Sequence, residues 1–303
     1  GTLKVTELTA KVTVTITEHS GTEKYDGTEK TVAGYDVKIS NPLYKESYFT
    51  FSGNDKVTGT DAGTYAMELK PADFTNISNN FSDVEFVIVD GTLEISKRSV
   101  TLTSATQEKV YDGTALTNDE VFVSGDGFAE GEGATYSVTG TITEVGETAN
   151  AFTYTLNDGT KADNYTITKV EGTLTVTELT DKVTVTITEH SGTEKYDGTK
   201  KTITGYDVEI SNPLYKESDF TFSGTAEVTG TDAGTYPMEL KAGDFTNNSN
   251  NFTNVEFVIV DGTLEISKRT VTLTSADAEK VYDGEALTND DVKVSGDGFA
   301  TGE

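Results

Sequence analysis

The chain repeats itself, and this limits what it can fold into. Residues 1–132 read almost identically to residues 172–303. Tyr25-Asp26-Gly27 returns as Tyr196-Asp197-Gly198 at a period of 171 residues, with no insertion or deletion. The period has a half-step. A second triplet, Tyr111-Asp112-Gly113, returns at Tyr282-Asp283-Gly284, so successive triplets stand 86, 85 and 86 residues apart. Such a chain is not one large core. It is an array of two alternating unit types, each of ordinary if small domain size. The unit boundaries read as 6–97 (type A), 98–178 (type B), 179–268 (type A) and 269–303 (partial type B).

Composition then selects the class. Thr, Val, Tyr, Phe and Ile abound, and Gly, Asn, Asp and Ser punctuate the chain every eight to twelve residues, as in all-β domains. Val12, Val14 and Ile16 alternate with Thr13, Thr15 and Thr17, which predicts a strand with one buried face. Further strands are expected over Val32–Ile39, Tyr48–Ser52, Tyr65–Leu69, Val84–Ile88 and Leu93–Ile95, about seven short strands per unit. The polar stretches Pro71–Asn76 and Ala115–Asp119 each suit a single helical turn. Closing strand Thr92–Ser96 is separated from opening strand Val100–Thr103 only by Lys97-Arg98 and its neighbour. So short a connection predicts little freedom between units.

The net charge of −28 is spread along the chain. It repels nucleic acid and anionic membranes and keeps a long molecule soluble. There is no cysteine, so disulfides and thiolate ligands are excluded. No stretch approaches the roughly 18–20 apolar residues of a membrane span, so no membrane insertion is expected in this segment. Leader and anchor segments are expected outside it.

Asp61-Ala62-Gly63-Thr64-Tyr65, repeated at Asp232–Tyr236, resembles the tyrosine corner of immunoglobulin-type sandwiches. There the hydroxyl bonds back to upstream backbone and a cysteine follows two residues later. Here that later position holds Met67 and Met238, the only methionines in the chain. Type B lacks the corner, and no tryptophan supports it. A glycine turn before an aromatic strand residue is also common in any β protein.

The opening strand, the Tyr-Asp-Gly turn, the Asp-Ala-Gly-Thr-Tyr segment, the pairs Asn80-Phe81 and Asn164-Tyr165, and the closing Gly-Thr-Leu-x-Ile/Val strand recur in one order. In this the whole chain resembles the tandem MBG or YDG-type repeats of bacterial surface adhesins. The resemblance implies an extracellular, cell-surface location. It implies small immunoglobulin-like or β-grasp-like domains laid end to end, and no catalytic residue.

A search for chemistry finds nothing that converges, and no catalytic, cofactor-binding or metal residue is assigned. His19 and His190 are one position in two copies and read as lone surface histidines. Asp126, Glu130 and Glu132 form a glycine-rich acidic loop without the spacing of a calcium loop. Asn76-Ile77-Ser78, Asn80-Phe81-Ser82 and Asn251-Phe252-Thr253 fit the glycosylation pattern and read equally as polar turns. One Thr-x-Thr-x-Thr strand per period is too few for an ice-binding face. Lys24, Lys109, Lys195 and Lys280 precede the four triplets and are candidates for isopeptide cross-links. Tyr48 corresponds to Asp219, and Asn54-Asp55-Lys56 to Thr225-Ala226-Glu227. A ligand site present in every copy would not tolerate such exchanges.

The sequence thus points to a stalk that holds other domains away from a cell. The alternative is a set of weak glycan- or mucin-binding modules acting by avidity. No cofactor is expected, and the expected partners are neighbouring copies of the chain. Gly1–Val5 matches Gly172–Val176 and reads as the closing strand of a preceding unit. It is a candidate to complement the partial unit after residue 269 in a neighbour.

Overall fold

The computed structural model describes residues 1–303. It is all-β, with short strands and single turns of 3-10 helix. The chain divides into two compact units. One comprises Gly1–Gln107, Leu116–Ile142 and Glu147–Leu174, and the other Glu108–Ala115, Thr143–Gly146 and Thr175–Glu303.

In the first type A repeat, the opening strand runs over Val12–Glu18, breaks at His19-Ser20 and resumes over Gly21–Lys24. The closing strand runs over Val84–Val89, breaks at Asp90-Gly91 and resumes over Thr92–Ser96. The two pair in parallel along both halves, from Val12 opposite Val84 to Ser96 opposite Lys24. Tyr35–Ile39 flanks the pair antiparallel on one side and Gly63–Ala66 on the other. The first and last strands therefore lie side by side at the centre of a mixed sheet.

Alternation explains the sheet's inner face. Val12, Val14 and Ile16 are fully buried, while the threonines between them face outward. Two antiparallel ribbons form the second layer: Lys30–Ala33 with Lys56–Gly59, and Phe49–Phe51 with Phe74–Asn76. Phe49 and Phe74 meet Phe86 of the closing strand at ring-centroid distances of 5.3 and 5.5 Å. Tyr35 meets Phe74 edge-on at 5.4 Å. The type A repeat in the other unit keeps this aromatic core, with Phe220 and Phe245 on Phe257 at 5.3 and 5.5 Å.

The break in the central pair is held by a buried acid. Glu18 shares the parity of Val12, Val14 and Ile16 and is only 4% exposed. Its two carboxylate oxygens accept the backbone N–H groups of Leu69 and Gly91, both at 2.7 Å. Glu189 does the same for Leu240 and Gly262 at 2.6 and 2.7 Å. Gly91 lies at the bend and Leu69 just past the end of the flanking strand, and left unpaired both donors would be costly. Leu69 and Leu240 follow Glu68 and Glu239, the two non-glycine residues with positive φ. In type B, Ser104 takes the place of the acid. Its hydroxyl accepts from Gly172 N–H at 2.9 Å and donates to the carbonyl of Asn150 at 2.6 Å.

The type B repeat follows the same plan. Arg98–Ser104 pairs antiparallel with Val121–Gly125 and parallel with Tyr165–Val170. Val271–Ser275 pairs antiparallel with Val292–Gly296 on its own chain. Leu3 and Val5 are fully exposed.

Three local expectations need correction. Val32–Ile39 is two strands, because Gly34 sits at φ +91 and its carbonyl accepts from His19 N–H at 3.1 Å. That turn sends Lys30–Ala33 into a ribbon and Tyr35–Ile39 into the sheet. With such breaks the repeat holds ten strands between Val12 and Ser96, more than the seven expected. Ala115–Asp119 makes no helical turn, since Leu116 bridges Ile142 in extended form. Pro71–Asp73 does form a 3-10 turn.

Candidate functional site: the junctions between repeats

The Tyr-Asp-Gly triplet folds as a side-chain-stapled turn. Asp26 accepts the backbone N–H of Thr28 at 2.9 Å and the Lys30 ammonium at 2.5 Å. Gly27 supplies the positive φ of +82. Lys30 and the Thr28 donors hold the Asp26 carboxyl well below the usual carboxylate range. The same turn recurs at Asp112, Asp197 and Asp283, with glycine φ between +76 and +82. The tyrosine takes no part in the turn, and Tyr25, Tyr111 and Tyr196 face the next repeat.

In the first unit, Tyr25 is 4% exposed and meets Tyr165 of the type B repeat edge-on at 5.7 Å. Both hydroxyls donate to one carboxylate, Glu132, the Tyr165 bond measuring 2.7 Å. Burial, then the Glu132 hydrogen bond, pushes Tyr25 up to about 12. Burial likewise pushes Tyr165 up to about 12. Arg98 stitches the connection by donating to the carbonyls of Gly127 (2.8 Å), Tyr25 (3.3 Å) and Asp126. Lys24 pairs with Asp126 at 2.6 Å.

A second clasp lies beside it. Ala62 N–H donates to Asn164 Oδ1 at 2.7 Å, and Asn164 Nδ2 donates to Asp61 at 3.0 Å. Asn164 is fully buried. Lys161, then Asn164, holds the Asp61 carboxyl below its usual value.

The second unit repeats this geometry in the opposite order of types. Tyr111 meets Phe252 edge-on at 5.5 Å. Val145 N–H donates to Asn251 Oδ1 at 2.9 Å, and Asn251 Nδ2 donates to Glu144. Leu214 lies on the turn, where a Cβ added to Gly113 would come within 2.9 Å of its methyl. The Lys195–Asp297, Tyr196–Glu303 and Arg269–Tyr196 contacts, at 2.7, 2.6 and 3.3 Å, copy those of Lys24, Tyr25 and Arg98.

The residues singled out from sequence find other places. His19 donates Nδ1–H to the Ala33 carbonyl at 3.0 Å, and His190 donates to Thr204 at 2.8 Å. These histidines staple the Gly34 and Gly205 turns, and their Nε2 atoms stand 3.5 and 3.4 Å from the exposed carboxylates of Asp36 and Asp207. The glycine-rich acidic loop turns Asp126 to Lys24 and Ser99, and Glu132 to the two tyrosines. The cross-link candidates Lys24, Lys109, Lys195 and Lys280 sit on Asp126, Asp112, Asp297 and Asp283 at 2.6 to 2.8 Å. Asn76 accepts from Tyr44 at 2.9 Å, and Asn251 belongs to the clasp, so both act as structural asparagines. The tyrosine corner is present: Tyr65 and Tyr236 donate to the carbonyls of Asp61 and Asp232 at 2.8 and 3.0 Å. Met67 and Met238 are buried behind it.

Comparison with known proteins agrees with this repeat geometry. The family model for the MBG domain matches residues 12–97 and 182–268, together more than half of the chain. No curated protein matches. Among solved structures, a match is the crystal structure of Down Syndrome Cell Adhesion Molecule (DSCAM) isoform 1.30.30, N-terminal eight Ig domains. It is 10% identical, with a TM-score of 0.17, over 95% of this chain and 45% of that one. The chain thus spans less than half the length of that protein, and so low a score carries no structural argument. The family match and the recurring turn, clasp and closing strand agree: the chain belongs to the MBG domain family.

Proposed function

We propose that the chain is a spacer: a segment of an extracellular, adhesin-like bacterial protein that holds other domains at a distance from a cell surface. The observation that carries this reading is the junction. The same tyrosine contact and asparagine clasp join type A to type B in one unit and type B to type A in the other. Both junctions thus use the same chemistry to join repeats. A few positions outside the junctions differ between copies. Tyr48 packs on Tyr44 at 5.7 Å, whereas its counterpart Asp219 caps a 3-10 turn through Lys216 N–H. The reading is of a structural protein and not an enzyme.

The experiment is a binding assay of the full chain on immobilised mucin and a glycan panel. The spacer reading expects no saturable binding beyond that of an acidic control protein. Saturable binding that survives high salt would assign the chain to glycan adhesion instead.

A further inference from the structure

The pairing of first and last strands has a mechanical consequence. In the first type A repeat, Val12–Thr17 lies parallel to Val84–Val89 in six aligned residue pairs. Beyond the bend, Gly21–Lys24 lies parallel to Leu93–Ser96 in four more. The second type A repeat has the same two ladders, Val183–Thr188 with Val255–Val260 and Gly192–Lys195 with Leu264–Ser267. The type B repeat opens likewise, with Arg98–Thr103 parallel to Tyr165–Val170. Each repeat is thus closed by a ladder between its own two ends.

Parallel pairing sends those ends out in opposite directions. The chain enters the first type A ladder at Val12 and leaves it at Ser96, at the far end. Tension along the chain therefore pulls the two strands oppositely along their common axis. The ladder bonds run between the strands, so they are loaded together and must fail together. Peeled from one end, the same bonds would fail one after another. Side chains oppose sliding as well. A slip of one residue would turn Val12, Val14 and Ile16 out of the core and put Thr13, Thr15 and Thr17 in their place. Leu93 and Ile95 lock the closing strand in the same way. At the bend, the Glu18 carboxylate braces the opening strand against Gly91 N–H at 2.7 Å. The load passes on directly, because only Lys97 separates Ser96 from the type B opening strand at Arg98.

We infer that each complete repeat is a shear clamp, and that the chain has the further function of carrying tension between the domains it separates. Load-bearing goes beyond the spacer reading, which asks only for distance and rests on the junctions. The clamp rests on strand pairing inside each repeat.

The test is optical-trap force spectroscopy of the full chain, with handles on pairs of introduced cysteines. The chain has no cysteine of its own, so each pair fixes the pulling direction. Lys11→Cys with Lys97→Cys loads the first type A repeat in shear. Lys11→Cys with Asp83→Cys peels the same ladder from one end. All three positions are exposed, so far-UV circular dichroism should be unchanged. At equal loading rate, the shear pair should rupture at a several-fold higher force than the peeling pair. Lys182→Cys with Lys268→Cys, set against Lys182→Cys with Asn254→Cys, should repeat the contrast independently in the second type A repeat. Equal rupture forces in the two directions, in either repeat, would overturn the inference. That result would leave the mucin and glycan assay untouched, so the spacer reading would stand or fall separately.

Discussion

At the residue scale, the triplet divides its work. Asp26 and Gly27 make the turn, and Tyr25 leaves it to join the next repeat. The joining bond has a pH signature. An ordinary phenol ionises near 10, whereas Tyr25 and Tyr165 are both pushed up to about 12. The folded junction therefore keeps protons that the unfolded chain gives up. Its contribution is intact below about pH 10 and is lost as the pH rises from there through 12. Ultraviolet titration should show three phenols ionising late, Tyr25, Tyr165 and the buried Tyr215. Tyr25→Phe should remove one of them and cost about 1 kcal/mol in urea unfolding. If every tyrosine titrates near 10, the junction does not bury these phenols in solution.

At the element scale, the bent parallel pair depends on Glu18. Glu18→Ala strips the partner from two buried N–H groups and should cost about 3 kcal/mol, read from the urea midpoint. A loss within about 0.5 kcal/mol would mean that water satisfies those donors. The alternation that marks Val12, Val14 and Ile16 as buried also puts Glu18 on the inner face, so its burial was legible. Its partners were not, since Leu69 and Gly91 lie 51 and 73 residues away. The strand run of Val32–Ile39 hid a break because Gly34 reads as one weak residue inside a good strand. Its effect comes from a positive φ and from His19 stapling the turn. The tyrosine corner was legible because its donor and acceptor are four residues apart.

At the scale of the whole molecule, the repeat and the all-β class could be read directly, because periodicity and alternation are local signals. The junction chemistry could not. Glu132 looked like part of an acidic loop, and its partner Tyr25 stands 107 residues upstream. Asn164 and Asn251 aligned with Asn80 as a motif, but the clasp needs Asp61 and Glu144 from the preceding repeat. The central claim is that these junctions fix neighbouring repeats so that the array acts as a spacer. Small-angle X-ray scattering of the full chain, beside the Asn164→Ala/Asn251→Ala variant, tests it most directly. The account predicts a Kratky tail that rises in the variant above that of the wild type, as each junction loses its clasp. Two superimposable profiles would contradict it.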